Sequence, residues 1–148
     1  MIKNKIKKFS NLRIEKKLIV IESSIILCIV KLLIKIIGLN ATYNILKKLP
    51  SLPVKEKIST IYIESLWSLV LATSRSLPIK TKCIEESISL WLILRTRGIK
   101  SHLKIGIHNS DNFKAHAWVE TYGKSIGKSE DIDINFSAFD YKFFNDEI

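Results

Sequence analysis

Apolar residues crowd the first third of the chain. The stretch "LRIEKKLIVIESSIILCIVKLLIKIIG", residues 12–38, is apolar almost throughout from position 18, broken by Glu22, Lys31 and Lys35. No window reaches the roughly 18 uncharged residues that a membrane-spanning helix needs. Lys31 and Lys35 stand four apart and share one face, so the pattern predicts an amphipathic helix ending at Gly38. Such a helix lies on a protein core or on a membrane surface. "LPSLP", residues 49–53, is a break, and Ser51 followed by Pro53 reads as the start of a second helix over 54–74. Ile61, Tyr62, Ile63, Leu66, Trp67, Leu69, Val70 and Leu71 surround that helix, which predicts a central, buried element. A third helix follows Pro78, with Thr81 as its cap and Gly98 at a left-handed end.

Beyond Gly98 the period falls to two. "SHLKIGIH" sets Leu103, Ile105 and Ile107 against His102, Lys104 and His108. "FKAHAWVETYG" sets His116, Trp118 and Glu120 against Ala115, Ala117 and Val119. "HNSDN" separates these strands, and "YGK" predicts a hairpin into a return strand through "IGKSEDIDI". Helices first and a small antiparallel sheet after them make an α+β domain. At 148 residues the chain fits one domain, its first 50 residues a basic helical part and residues 51–148 the rest.

Charge refines the picture. The net charge is +10, and residues 1–50 carry eleven Lys or Arg against Glu15 and Glu22, a balance of +9. That asymmetry suits an anionic membrane or an acidic partner. Nucleic acid fits less well, because the lysines sit on an apolar helix without an aromatic stacking platform. Two cysteines, Cys28 and Cys83, without a secretory signal pattern point to a reducing, cytoplasmic compartment. There is no glycine-rich phosphate loop and no closely spaced ligand pair for zinc, so no cofactor or metal is expected.

The candidate chemistry starts at Cys83. A cysteine at a helix start beside Lys82 has unpaired N–H groups and a cation to favour its thiolate. Ser87 lies one turn on, on the same face, and is small enough to leave the thiol open. Cys28, inside the apolar run, reads as a packed hydrophobe. Of the three histidines, His102 and His108 fall on a polar strand face, while His116 sits in "AHAWVE" between alanines. Trp67, Trp91 and Trp118 read as core or pocket wall.

Together the segments "SLPIKTKCIEESISLWLILRTRG", "LKIGIH" and "FKAHAWVETYGKSIG" resemble the B-type leader peptidases of lasso peptide biosynthesis, members of the transglutaminase-like group of the papain-like fold. The residues that carry this are Leu77-Pro78, Cys83, Ser87, Leu90-Trp91, Arg95, Arg97-Gly98, Ile105-Gly106 and positions 115–120. The resemblance implies a cysteine peptidase that cuts the leader from a ribosomally made precursor peptide. In it Cys83 is the nucleophile, His116 the base, and the Cys83 N–H an oxyanion donor. It further implies the peptidase-only half of a split enzyme, with a separate leader-recognition protein and an ATP-using lasso cyclase as partners.

The third triad member departs from the family, whose acid lies twelve residues after the histidine, where this chain has Lys128. Glu120 is about 13 Å along the strand from His116, too far to orient it. A turn at Tyr122-Gly123 sets Ser129 opposite His116, and a turn at Gly123-Lys124 sets Asp131 there. Glu130 shares a strand face with position 128 and reaches further, so it is the favoured acid, with Asp131 next. The further alternatives are an orienting backbone carbonyl, or no orienting acid at all. Two other functions remain in view: a transglutaminase-like acyl transferase using an amine in place of water, and an inactive membrane-surface or scaffold protein.

Overall fold

The computed structural model describes residues 10, 12–54, 58–108, 114–127 and 137–139. Among these residues three long helices are formed: α1 (Ile14–Leu46), α2 (Thr60–Ser76) and α3 (Cys83–Thr96). Four strands follow: β1 (His102–His108), β2 (Lys114–Thr121), β3 (Lys124–Ile126) and β4 (Ser137–Phe139). They form one antiparallel sheet in the order β3-β2-β1-β4. The α+β architecture expected from the change of period is the one observed.

α3 is the central element. Ile88, Leu90, Ile93 and Leu94 are fully buried, and together with Val30 of α1, Leu66 and Val70 of α2 and Val119 of β2 they build the core. Its C-terminus closes in a Schellman arrangement. Ile99 N–H donates to the Leu94 carbonyl at 2.9 Å, and Gly98 N–H to the Arg95 carbonyl at 3.0 Å. Gly98 has φ 70°, and a Cβ there would stand 2.2 Å from the Pro53 carbonyl oxygen, so the 51–54 segment lies directly on it.

Several expectations need correction. α2 starts at Thr60 with Ser59 as its N-cap residue, while Ser51 and Pro53 lie in irregular chain. The Ser-Pro signal belongs to the segment that packs on Gly98. Nor is α2 buried all round: Ile63, Leu66, Val70 and Thr73 make an inward stripe, while Ile61 is 78 % and Tyr62 41 % exposed. At α3 the N-cap is Lys82, and Thr81 bonds instead to Glu86. α1 breaks at Gly38 (φ 82°, ψ 169°), as expected, but a further helical segment continues to Leu46. Cys28 is exposed, not packed. β3 spans only three residues, so "SEDIDI" falls outside the described residues, and β4 on the far edge of β1 has no counterpart in the sequence reading.

Glu22 and Arg97 join the outer part of α1 to the end of α3. Arg97 Nη1 and Nη2 donate to Glu22 Oε1 and Oε2 at 2.9 and 2.5 Å, and Nη1 also reaches the Ile93 carbonyl at 3.1 Å. The Glu22 hydrogen bonds raise the Arg97 pKa, against the lowering effect of burial. Replacing Glu22 by alanine is expected to cost about 2 kcal/mol, because a half-buried guanidinium loses a bidentate partner. Urea denaturation of the two chains checks it.

Candidate active site

Cys83 is the first residue of α3 and is partly buried. Three groups fix the turn that carries it. The Glu85 carboxylate, 6 % exposed as a residue, accepts the Lys82 N–H at 2.7 Å and lies 3.6 Å from Lys31 Nζ. Lys31 Nζ also donates to the Lys80 carbonyl. Glu86 accepts hydrogen bonds from Ser74 Oγ at 2.5 Å and Thr81 Oγ1 at 2.9 Å, and those two hydroxyls touch each other. A buried carboxylate needs such partners, since its charge has left water. The result links α1, the end of α2 and the approach to α3 at the base of Cys83. Lys31 is placed with Lys35 on one helix face by the sequence pattern. Its partner is 54 positions away, which no local pattern encodes.

One turn on, Ser87 is 1 % exposed, and its Oγ donates to the Ala117 carbonyl at 2.8 Å. This bond ties the Cys83-bearing turn, about 6 Å away along the axis, to the residue that follows His116 in β2. Ser87 therefore does more than leave space: it docks the helix start on the strand. Replacing it by alanine is expected to cost about 1–2 kcal/mol, since a buried hydrogen bond is lost while the helix remains. A thermal melt reads the loss.

His116 faces Gly106, a residue without a side chain, across the β1–β2 ladder. The ring stacks on the buried Trp118, centroids 6.4 Å apart. Trp118 Nε1 in turn donates to Glu120 at 3.2 Å, so Glu120 serves the tryptophan. His116 Nε2 lies 3.0 Å from the Gly127 carbonyl oxygen. A carbonyl only accepts, so this bond puts the proton on Nε2 and leaves Nδ1 as the basic nitrogen of the neutral ring.

A main-chain carbonyl is thus one partner of His116 among the described residues, as in one of the alternatives that the sequence left open. Thr121 pairs with Lys124 and Val119 with Ile126, so the turn is Tyr122-Gly123, with φ of 48° and 74°. Of the two turns considered, Tyr122-Gly123 is the one formed and Gly123-Lys124 is not. Lys128, Glu130 and Asp131 lie outside the described residues. Gly127 leaves the ladder at φ 84°, and a Cβ there would meet the Trp67 ring at 2.9 Å. Gly127→Ala is therefore expected to push the carbonyl off His116. If the proposed catalytic base depends on it, kcat falls about tenfold and its pH profile moves, with little change in KM.

His102 is exposed, as its strand face implied. A cavity of about 540 Å³ lies toward the other end of α3, lined by Tyr43, Lys47, Trp91, Arg95, Ile99 and His102 among others, and neither Cys83 nor His116 lines it. Among the described residues, no three His, Cys, Asp or Glu side chains gather as a metal site, and no helix is long and apolar enough to cross a membrane.

A helix that begins with cysteine, docked on an antiparallel sheet that carries an oriented histidine, is the arrangement of a transglutaminase-like domain. The family profile described as "Transglutaminase-like superfamily" matches residues 26–137, three quarters of the chain. The chain belongs to that superfamily. No curated protein and no solved structure gives a match.

Proposed function

We propose that this protein is a cysteine peptidase that removes the leader from a ribosomally made precursor peptide during lasso peptide maturation. The observation that carries the catalytic part is the Nε2–H hydrogen bond from His116 to Gly127, which leaves Nδ1 as the base. Cys83 is the nucleophile and stands at the N-terminus of α3, where the first helical N–H groups lack intrahelical acceptors. Its thiol proton passes to His116, and the thiolate sulfur attacks the scissile carbonyl carbon. The oxyanion takes a hydrogen bond from the Cys83 N–H. The His116 imidazolium returns the proton to the leaving amine as the C–N bond breaks, giving a thioester. Water then attacks, His116 takes its proton, and the C–S bond breaks to release the acid and the thiol.

The substrate class rests on the resemblance of the segments around Cys83 and His116 to the B-type leader peptidases. In that reading the chain is the peptidase half of a split enzyme in the cytoplasm. A separate leader-recognition protein delivers the precursor, and a lasso cyclase consumes the freed core. The test is mass spectrometry of a precursor peptide after incubation with the full chain, with and without the leader-recognition protein, in water and with an added primary amine. Two fragments, one gaining water, support the peptidase. An amine adduct as the main product means an acyl transferase. Intact precursor in every arm, with the partner present, overturns the enzymatic reading.

A further inference from the structure

α1 uses two opposite faces. Ser23, Leu27 and Val30 are buried against the rest of the fold, as core positions should be. The opposite face is apolar too: Ile14, Leu18, Ile21, Ile25, Ile29, Leu32 and Ile36 are each between 48 and 69 % exposed. These seven side chains form one unbroken stripe about 33 Å long. Scattered exposed leucines are ordinary on protein surfaces, but a continuous row of this length marks an interaction face.

Spacing and charge say what covers it. The steps are four, three, four, four, three and four residues, an 11-residue repeat that keeps the stripe along one side of a nearly straight helix. A left-handed coiled coil with a second helix requires a strict seven-residue repeat. Continued from Ile14, that repeat runs through Cys28 and Lys35 in place of Ile29 and Ile36, and puts a lysine in the seam. A straight stripe suits a flat surface. Lys17 lies beside Ile14 and Ile21 at helical spacing and Lys35 beside Leu32, both along one margin of the stripe. On the other margin Glu22 is engaged by Arg97. Lysine stems can lie along apolar surface with their ammonium groups at its edge, which is the plan of an interfacial helix on an anionic bilayer.

We infer that the outer face of α1 is a membrane-docking surface, which lays the protein on anionic lipid with α1 in the interface plane. The helix does not span: its inner face stays on the core. Docking is independent of the catalytic reading, since it needs neither Cys83 nor His116.

Flotation of the full chain on a sucrose gradient tests this. The probes are vesicles of phosphatidylcholine alone and of phosphatidylcholine with phosphatidylglycerol. The chain is expected to float with the anionic vesicles and to remain largely at the bottom with the neutral ones. Ile25→Ser/Ile29→Ser/Leu32→Ser is expected to lower binding to anionic vesicles by tenfold or more, since three exposed apolar side chains are lost from the interface. Lys17→Gln/Lys35→Gln is expected to lower it by about fivefold per lysine and to weaken the preference for anionic lipid. Circular dichroism confirms that both variants keep their helices. A wild-type chain that stays at the bottom with both vesicles overturns the inference, as does flotation that the serine variant leaves unchanged. Light scattering provides the other arm: a wild-type dimer that does not float and that the serine variant dissociates makes this face a self-interface instead.

Discussion

Alkylation of Cys83 by iodoacetamide at mildly acidic pH is expected to slow at least tenfold in His116→Ala, while alkylation of Cys28 stays unchanged. Cys28 is exposed and far from the histidine in sequence, so it serves as the reference thiol within the same molecule. The physical basis is the thiolate, which is the reacting species and which a neighbouring imidazole stabilises by taking the thiol proton. Catalysis should suffer more than labelling. Proton transfer by a positioned imidazole contributes about 10²–10⁴-fold, so peptide hydrolysis by the variant should fall by that factor. Mass spectrometry of tryptic peptides separates the two cysteines. Equal labelling of Cys83 in both chains sinks the assignment of His116 as its base.

Gly98→Ala is expected to be the most damaging single substitution for stability. The residue adopts φ 70°, which costs an alanine roughly 1–2 kcal/mol, and the new Cβ would stand 2.2 Å from the Pro53 carbonyl oxygen. A main-chain oxygen cannot swing aside as a side chain can, so the 51–54 segment or the end of α3 must shift. A total of about 3 kcal/mol or more, and a fall in Tm of roughly 10 °C, is the expected result. Gly123→Ala supplies the control. Gly123 has a similar φ of 74° but nothing within 4 Å of a Cβ, so it should lose only the conformational part. If the two variants melt alike, the Pro53 contact contributes nothing.

What could be read from the sequence was what adjacent residues encode. Cys83 at a helix start and Gly98 at its end frame α3 to within a residue, because capping is a property of one turn of chain. The change from helical spacing to alternation at Gly98 gives the fold class, and Tyr122-Gly123 gives one of the two hairpin registers considered. Three things could not be read. α1 is apolar on two opposite faces, so its pattern did not show which of them meets the core or which way Cys28 points. The Lys31–Glu85 contact joins distant parts of the chain and exists only after α1 packs beside α3. The Gly127 contact of His116 is made by a carbonyl, which every residue carries and no letter reports, and the side chains at 128, 130 and 131 lie outside the described residues.

That carbonyl contact changes what selection can act upon. A contact to the main chain cannot be removed by any point mutation at the accepting residue that leaves the chain path intact. The constraint passes instead to the bend that aims the carbonyl: to Gly127 and to Trp67, whose ring fills the space where a Cβ would be. A change at either residue therefore reaches the histidine without touching it, which is a constraint that an inspection of charged side chains alone would miss.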